Sequence, residues 1–328
     1  MLTLERVLAR RDVSLSSVVH EGLGYLRSMA RPDGSIAEQP GSAFFRNWDS
    51  VNALRAAAAW HARDDWVRAL LDYLGGRESP DGLMHPGDGV CVRTEYCTET
   101  SGEYLVALAG LGHRDRAARG ARYLGSRQLP GGGWELTDPR VPRAFHTVAS
   151  VTAFAILALD AADVAVPARD LAITGLLRAQ RPEGHFGANR FFYHSPFYVA
   201  RPVVEVIGDH PAAVGAAVEY TRAAQRRDGG WAAEFDVVGD SLTDDVVTAL
   251  ALGTLAAAGV DAGDPAVRRG LLWLLDRRRA NGSWCGGHYP YYPATGDLPD
   301  VRTPQDVYAT SQVLITLAAL ARLEEAHE

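Results

Sequence analysis

A glycine-centred turn recurs six times along the chain, and each copy follows a segment with helical periodicity. The landmark residues are Gly34, Gly82, Gly132, Gly184, Gly229 and Gly282. Their spacing of roughly fifty residues is at the upper end of the range that marks repeat architectures. Because the repeat runs from one end of the chain to the other, we expect residues 1–328 to form a single domain.

Each repeat contains two apolar segments separated by the glycine turn. In the fifth repeat, residues 212–225 before the turn carry a partial apolar stripe, whereas residues 244–258 after it are apolar nearly all round. A striped helix lies on a surface, and a helix that is apolar all round is buried. The other buried helices are predicted at 50–61, 102–111, 148–161, 197–207 and 308–323. The predicted fold class is therefore all-α, an (α/α)6 barrel, or toroid, of six inner and six outer helices.

The composition excludes several classes of partner. Apolar residues make up 47% of the chain and charged residues 22%, which is typical of a globular protein with a large core. The net charge of -7 is spread without a basic block, so we expect no nucleic-acid partner. No apolar run approaches the roughly 18 to 20 residues that an integral membrane segment requires. Three cysteines and the absence of a leader-like segment predict a cytoplasmic location.

Three of the turns share a glutamine, a short spacer, a glycine and an aromatic residue. They read QLPGGGW at 128–134, QRPEGHF at 180–186 and QRRDGGW at 225–231. This pattern resembles the QW repeat of squalene and oxidosqualene cyclases, and related turns occur in the β subunits of protein prenyltransferases. The glutamine is absent from repeats one, two and six. The resemblance implies the α/α toroid for the whole chain and an enzyme that acts on isoprenoids.

The resemblance also implies a catalytic pair. Cyclases that begin by protonating an alkene carry Asp-x-Asp-Asp at the start of an inner helix, and the corresponding segment here is Leu242, Thr243, Asp244 and Asp245. The first aspartate is replaced by leucine, although Asp240 lies two residues earlier. The general acid implied by the resemblance is Asp244, with Asp245 as its partner. The implied function is that of a class II, protonation-initiated terpene cyclase.

No resident metal or cofactor is predicted. Protein prenyltransferases hold zinc with an aspartate, a cysteine and a histidine, and Ala309 stands where that family has the histidine. Cys285 and His288 have zinc-compatible spacing but lack a second pair. All 33 basic residues are arginine, which excludes mechanisms that need lysine. Magnesium is expected only if the substrate carries a diphosphate. The arginines available to bind such a group are Arg46, Arg143, Arg190 and Arg201.

Polar residues near the starts of the six inner helices form a second set of candidates. Aligned by the turns, they are Asp49, Glu99, His146, His194, Asp244 with Asp245, and Asp306. In a toroid these positions converge on one mouth of the central cavity, where we expect the catalytic site. Helix capping is the competing explanation, because aspartate suits helix N-termini. The further residues predicted to contact substrate are Trp48, Tyr308 and Glu103, which lies four residues after Glu99 on the same helical face.

Aromatic residues are concentrated in two loops, FFYHSPFY at 191–198 and GHYPYYP at 287–293. Aromatic faces can stabilise a passing carbocation through cation-π attraction, as a polyene cyclase requires. The same rings could also stack on a sugar or fill the core. The four predicted to line the substrate site are Phe192, Tyr193, Tyr289 and Tyr291.

Two other functions are compatible with the sequence. An α/α-barrel hydrolase or lyase acting on a glycan would use paired carboxylates, for instance Asp49 with Glu99 or with Asp244. A noncatalytic toroid would bind a hydrophobic ligand or a protein. The cyclase interpretation predicts a small hydrophobic or prenylated substrate and a dry aromatic chamber, whereas a glycan-active enzyme would have an open groove.

Overall fold

The computed structural model of the protein describes residues 3–38, 46–85, 87, 96–136, 148–187, 195–232, 244–286, 288–290 and 302–326. Thirteen α-helices lie in these residues: α1 Leu4–Leu8, α2 Leu15–Ser28, α3 Arg46–Ala59, α4 Asp65–Gly75, α5 Thr98–Gly110, α6 Arg114–Ser126, α7 Val148–Ala161, α8 Arg169–Ala179, α9 Pro196–Val206, α10 Pro211–Ala223, α11 Asp245–Ala257, α12 Pro265–Arg277 and α13 Asp306–Glu325. A 3-10 turn, Ala9–Arg11, follows α1. Two three-residue strands, β1 His288–Pro290 and β2 Arg302–Pro304, pair antiparallel.

The helices from α2 to α13 alternate between the two types that the sequence predicts. Every residue of α11 except Ala257 is buried, as expected for an inner helix. By contrast, α4 buries one stripe formed by Trp66, Val67, Leu70, Leu71 and Leu74, which is the i, i+3, i+4 spacing of an outer helix. The inner helices are α3, α5, α7, α9, α11 and α13. Their order confirms the predicted helix pairs.

The contacts divide the chain into two compact units. The terminal unit comprises Met1–Leu26 and Gln180–Glu328, and the central unit comprises Arg27–Ala179. Within the central unit, α5 packs against both α3 and α7. Within the terminal unit, α11 packs against both α9 and α13. Each unit is therefore built around one inner helix held between two others.

The six landmark glycines all have positive φ, between 82° and 103°. Each lies close to a neighbouring outer helix, and at Gly34, Gly132, Gly184 and Gly282 a β carbon would lie within 2.6 Å of a backbone atom of that helix. A β carbon on Gly184 would lie 2.3 Å from the carbonyl oxygen of Ala216 in α10, and one on Gly282 would lie 2.5 Å from that of Glu21 in α2. Glycine is required at these turns both by the backbone conformation and by this close approach.

The glutamine and the tryptophan of the fifth turn attach it to two outer helices. The amide group of Gln225 donates hydrogen bonds of 2.8 Å to the carbonyls of Gly229 and Ala266, the latter in α12. The indole N–H of Trp231 donates to the carbonyl of Thr221 in α10 at 2.7 Å. A β carbon on Gly270 of α12 would lie 2.7 Å from the Trp231 ring, so the ring packs on that neighbouring helix. Trp231 therefore fastens the fifth turn to both α10 and α12.

In five of the inner helices, a hydroxyl side chain binds the backbone of the preceding glycine turn and so fixes which side of the helix faces that turn. Ser50, Ser101, Thr152, Thr248 and Thr310 each accept a hydrogen bond from the backbone N–H that lies two residues after the turn glycine. We call these five residues the anchor hydroxyls. Successive helix residues are rotated by about 100°, so positions two residues before or after an anchor hydroxyl point away from the turn.

Candidate functional site

The predicted carboxylates lie at helix starts, but not in one register. Asp49 is one residue before its anchor hydroxyl, Glu99 two, Asp245 three and Asp306 four. Since each residue turns the helix by about 100°, these side chains leave their helices in different directions. Their surroundings therefore have to be considered one by one.

Asp244 caps helix α11. Its backbone is extended, with φ -127° and ψ 140°, and its carboxylate accepts a hydrogen bond from the N–H of Val247. That bond is 3.0 Å long. This is the geometry of an N-cap aspartate, in which the amide N–H stabilises the ionised carboxylate. The capping role that the sequence offered as an alternative is thus present at Asp244.

Asp245 is buried and engaged on both oxygens. One oxygen forms an ion pair with Arg277 at the end of α12, and the other accepts a 2.9 Å hydrogen bond from the N–H of Cys285. Burial raises the pKa of Asp245, and the hydrogen bond and charge of Arg277 oppose that rise. The Arg277 guanidinium also lies 4.6 Å from the centre of the Trp273 ring. The carboxylate of Asp245 thus holds the end of α12 and the following turn to α11.

Asp306 plays a matching part at the start of α13. It forms an ion pair with Arg279 and accepts a 3.0 Å hydrogen bond from the N–H of Gly286. A β carbon on Gly286 would lie 2.1 Å from the carbonyl oxygen of Gln305, so the chain passes very close to the helix start here. Asp245 and Asp306 together fix the backbone at residues 285 and 286, which gives both a structural use.

In the central unit, polar bridges connect three inner helices. Glu103 of α5 forms an ion pair with Arg55 of α3, and the Glu103 side chain is 1% exposed. One turn earlier in α5, Glu99 accepts a 2.6 Å hydrogen bond from the hydroxyl of Ser150 in α7. Both glutamates lie two residues from Ser101, so they leave α5 on the side turned away from its glycine turn. The prediction that they share one face is confirmed.

Asp49 is buried with fewer partners. Its Oδ2 accepts a hydrogen bond of 3.3 Å from the N–H of Glu38. Its Oδ1 is buried and has no hydrogen-bond partner among the described residues. Burial raises the pKa of Asp49 to about 7, against the opposing influence of the Glu38 N–H and the charge of Arg31. A substantial fraction of this carboxyl is therefore protonated near neutral pH.

The remaining predicted contacts are divided between described and undescribed residues. Trp48 and Tyr308 are buried, and each lies two residues before an anchor hydroxyl, the same register as Glu99. The backbone of Tyr289 lies in β1. The predicted residues whose side chains lie outside the described part of the chain are His146, Phe192, Tyr193, His194, Tyr289 and Tyr291.

Two polar residues on inner helices were not singled out from the sequence. Arg55 pairs with Glu103, and Gln312 of α13 accepts a 2.8 Å hydrogen bond from Arg201 of α9. Arg201 passes over Gly253 of α11, where a β carbon would lie 3.0 Å from its Cδ. The signal for Arg55 was available, because it is a charged residue within an otherwise apolar helical segment.

The described residues contain no group of three or more histidine, cysteine, aspartate or glutamate side chains placed to hold a metal ion. None of the described helices is both long and apolar enough to cross a membrane. The absence of a resident metal stays a prediction.

The fold and the arrangement of helix pairs define an all-α (α/α)6 protein, the predicted class. Residues 203–325 match the family described as squalene-hopene cyclase C-terminal domain. A variant of the type II terpene cyclase MstE from Scytonema, without ligand, is 19% identical, with a TM-score of 0.74 over 98% of this chain and 99% of that one. The resemblance noted from the turns is therefore confirmed.

Two other solved structures share the fold. A protein from Actinoplanes is 21% identical, with a TM-score of 0.69 over 93% of this chain and 99% of that one. A possible member of the GH105 family from Salmonella enterica is 11% identical, with a TM-score of 0.60 over 95% and 94%. A search of curated proteins found no match. At these identities the similarity concerns the fold, and activity has to be argued from the site.

Proposed function

We propose that the protein is a protonation-initiated cyclase of a linear isoprenoid. The observation that carries this proposal is the match of residues 203–325 to the squalene-hopene cyclase family, in a fold that extends over nearly the full length of a type II terpene cyclase. MstE has been solved with geranylgeranyl dihydroxybenzoate as substrate and with merosterolic acid A as product. A prenylated, largely apolar substrate of that chemical class is what we propose for this chain.

The proposed reaction begins when a carboxylic acid transfers a proton to an alkene. The sequence resemblance gives this role to Asp244, with Asp245 as its partner. Asp244 stands at the start of a buried inner helix within the matched segment, which supports the assignment. Its hydrogen bond from Val247 N–H opposes the assignment, because a general acid must hold its proton before the reaction.

The proposed substrate contacts include aromatic and cationic side chains. Trp48 and Tyr308 are buried on inner helices on the side turned away from their glycine turns, where a ring face could stabilise a carbocation. If the substrate carries a diphosphate, Arg201 on inner helix α9 is the arginine proposed to bind it, with magnesium supplied alongside the substrate. The reaction itself moves a proton and rearranges electron pairs, so no redox cofactor is needed.

A second candidate function is a glycan-active hydrolase or lyase. The observation in its favour is the similarity in fold to the GH105-like structure from Salmonella, together with buried carboxyls such as Asp49 and Glu99. Paired carboxyls are the usual means of cleaving glycosidic bonds. This function predicts cleavage of oligosaccharides and no conversion of prenyl compounds. A noncatalytic toroid would retain a lipid unchanged.

The test is to incubate the protein with linear prenyl alcohols, prenyl diphosphates and prenylated hydroxybenzoates, and to analyse the products by mass spectrometry. We expect a cyclic product isomeric with its substrate. In D2O the product should carry deuterium at the carbon that receives the proton, because a carboxylic acid exchanges with solvent. Absence of cyclic product across the panel, with cleavage of a parallel oligosaccharide panel, would establish the second function instead.

The same assay tests Asp244. If it is the donor, Asp244→Asn should lower turnover by about a hundredfold to ten-thousandfold. Asparagine caps a helix about as well as aspartate, so the melting temperature should not change. Wild-type turnover in Asp244→Asn would keep the proposed reaction and remove Asp244 from the donor's role.

A further inference from the structure

Asp49 lies at the start of α3, where the two polar residues around it form hydrogen bonds that fix the backbone. The amide of Asn47 donates to the carbonyl of His85 at 3.1 Å and accepts from the hydroxyl of Tyr73 at 3.0 Å. Ser50 accepts from the N–H of Ile36 and donates to the Ile36 carbonyl, both at 3.0 Å. Asp49 lies between Asn47 and Ser50 in the sequence, so these hydrogen bonds fix its backbone, and its carboxyl accepts the N–H of Glu38.

The charges near Asp49 are directed elsewhere or act at longer range. The guanidinium of Arg46, one turn earlier in α3, pairs with Asp33, and its Nη1 lies 3.5 Å from the Oδ2 of that aspartate. Arg31 acts on Asp49 through its charge without a hydrogen bond to it among the described residues. Within the described part of the chain, Asp49 therefore has no ion pair. Its Oδ1 is buried and has no hydrogen-bond partner in the part of the chain that the structure describes.

A buried carboxyl without an ion pair favours its neutral form, because burial penalises the charge, and at Asp49 the N–H of Glu38 and the charge of Arg31 offset only part of that penalty. This explains why the pKa of Asp49 is raised to about 7. The neutral form carries an O–H group, and Oδ1 has no partner among the described residues that would otherwise engage it. The ionised form left after proton transfer is destabilised by the same burial, which favours return of the proton.

We propose that Asp49 is the carboxylic acid that protonates the isoprenoid alkene. This inference rests on the proposed function and names its donor. The O–H bond of Asp49 breaks while the alkene π pair forms a C–H bond, which leaves a carboxylate and a tertiary carbocation. Ring closures move the positive charge along the chain. Loss of a proton from the last carbocation forms the product alkene, and that proton returns to Asp49 directly or through water.

The inference is tested with Asp49→Asn beside Asp244→Asn in the cyclisation assay. We expect Asp49→Asn to lower turnover by about a hundredfold to ten-thousandfold while the protein stays folded. Asp33→Asn is the matched control, because Asp33 lies in the same unit, is 47% exposed and has no part in the proposed reaction. It should retain wild-type turnover. Wild-type turnover in Asp49→Asn would overturn the inference and leave the proposed function standing. Failure of the wild type to cyclise any substrate would instead overturn the proposed function.

A second measurement covers the case in which Asp49→Asn does not fold. Infrared difference spectra of the wild-type protein, recorded across neutral pH, should contain the carbonyl band of a protonated, buried carboxyl that disappears as pH rises through about 7. In a folded Asp49→Ala or Asp49→Asn variant this band should be missing. Absence of the band from the wild type, or its persistence in the variant, would contradict the inference.

Discussion

The carboxylates of the terminal unit and those of the central unit occupy similar places in the repeat but have different surroundings. In the terminal unit, Asp245 and Asp306 each bind a backbone N–H and an arginine. In the central unit, Asp49 binds one backbone N–H and has no ion pair among the described residues. A carboxylate at a helix start thus either fixes the backbone of a neighbouring turn or binds a proton, depending on whether a neighbouring segment supplies an arginine.

The physical origin of the difference lies at the end of outer helix α12, which follows α11 and precedes α13. Three consecutive arginines occupy positions 277–279, where α12 gives way to its turn. Two of them pair with the inner-helix aspartates of that unit. In the first repeat, Asp33 of the turn lies beside Arg46, and no described arginine pairs with Asp49. The turn sequence therefore decides whether the charge on the aspartate is compensated.

The largest effect that would sharpen this comparison is a pH-dependent change in stability from Asp49→Asn. In the unfolded chain Asp49 ionises at its ordinary pKa of 3.8, whereas in the folded protein it ionises at about 7. Between these values the folded state keeps a proton that the unfolded state releases, so the wild type loses stability as pH rises. Between about pH 4 and pH 8, the free energy of unfolding of Asp49→Asn should therefore rise relative to that of the wild type by on the order of 4 kcal/mol.

Urea unfolding followed by tryptophan fluorescence would measure this difference across the pH range. Asp33→Asn is a control of opposite sign. The hydroxyl of Ser35 is the main cause that lowers the pKa of Asp33, so its contribution to stability is present at neutral pH and is lost in acid. The Asp33 variant should therefore be less stable than the wild type at neutral pH and equal to it in acid. A flat pH profile for Asp49→Asn would show that Asp49 resembles the carboxylates of the terminal unit.

The next effect compares the ion pairs of the two units. The carboxylates of both pairs are buried, with Glu103 1% and Asp245 0% exposed, but the arginines differ, because Arg55 is 14% and Arg277 45% exposed. Removing a partner from a buried pair leaves an uncompensated charge. Arg55→Met should lower the free energy of unfolding by about 3 kcal/mol. Arg277→Met should lower the free energy of unfolding by about 1 kcal/mol or less. Water can take the place of the exposed guanidinium, and Asp245 still accepts the hydrogen bond from the N–H of Cys285.

The double variant Arg55→Met/Glu103→Leu is the control for the first of these, because it removes the charge left behind. It should recover most of the stability lost in Arg55→Met. Equal losses in the Arg55→Met and Arg277→Met single variants, measured by urea unfolding, would contradict the proposed difference between the two units.

The sequence predicted the helix pairs well because their apolar periodicity is strong. The inner helix predicted at 148–161 has those bounds in the structure. Helix α1 was not predicted, since its five residues are too few to establish a period. The pair of strands was not predicted either, because each strand has three residues and one of them is proline. Short elements of this kind depend on their partners more than on local preference.

The site was predicted less completely, for a geometric reason. Counting from the turn glycine locates each helix start but not the direction of a side chain. Sixteen residues separate Gly34 from the anchor hydroxyl of Ser50, whereas twenty-eight separate Gly282 from that of Thr310. Since each residue rotates a helix by about 100°, loops of different length destroy the register between repeats. The arginine partners of Asp245 and Asp306 likewise follow from three-dimensional packing.

The smallest expected change in stability comes from Asp244. It belongs with the structural carboxylates of the terminal unit only if its main role is to cap α11. Asp244→Ala should remove the hydrogen bond from the N–H of Val247 and lower the free energy of unfolding by about 1 kcal/mol. Asp244→Asn should be close to the wild type in stability, because an amide oxygen accepts the same bond. Urea unfolding of the two variants at one neutral pH would measure both values. Equal losses in both would mean that the negative charge, and not the cap, stabilises α11, since only the charge is removed in common. Asp244 would then differ from a simple N-cap, and its assignment to the structural carboxylates of the terminal unit would be wrong.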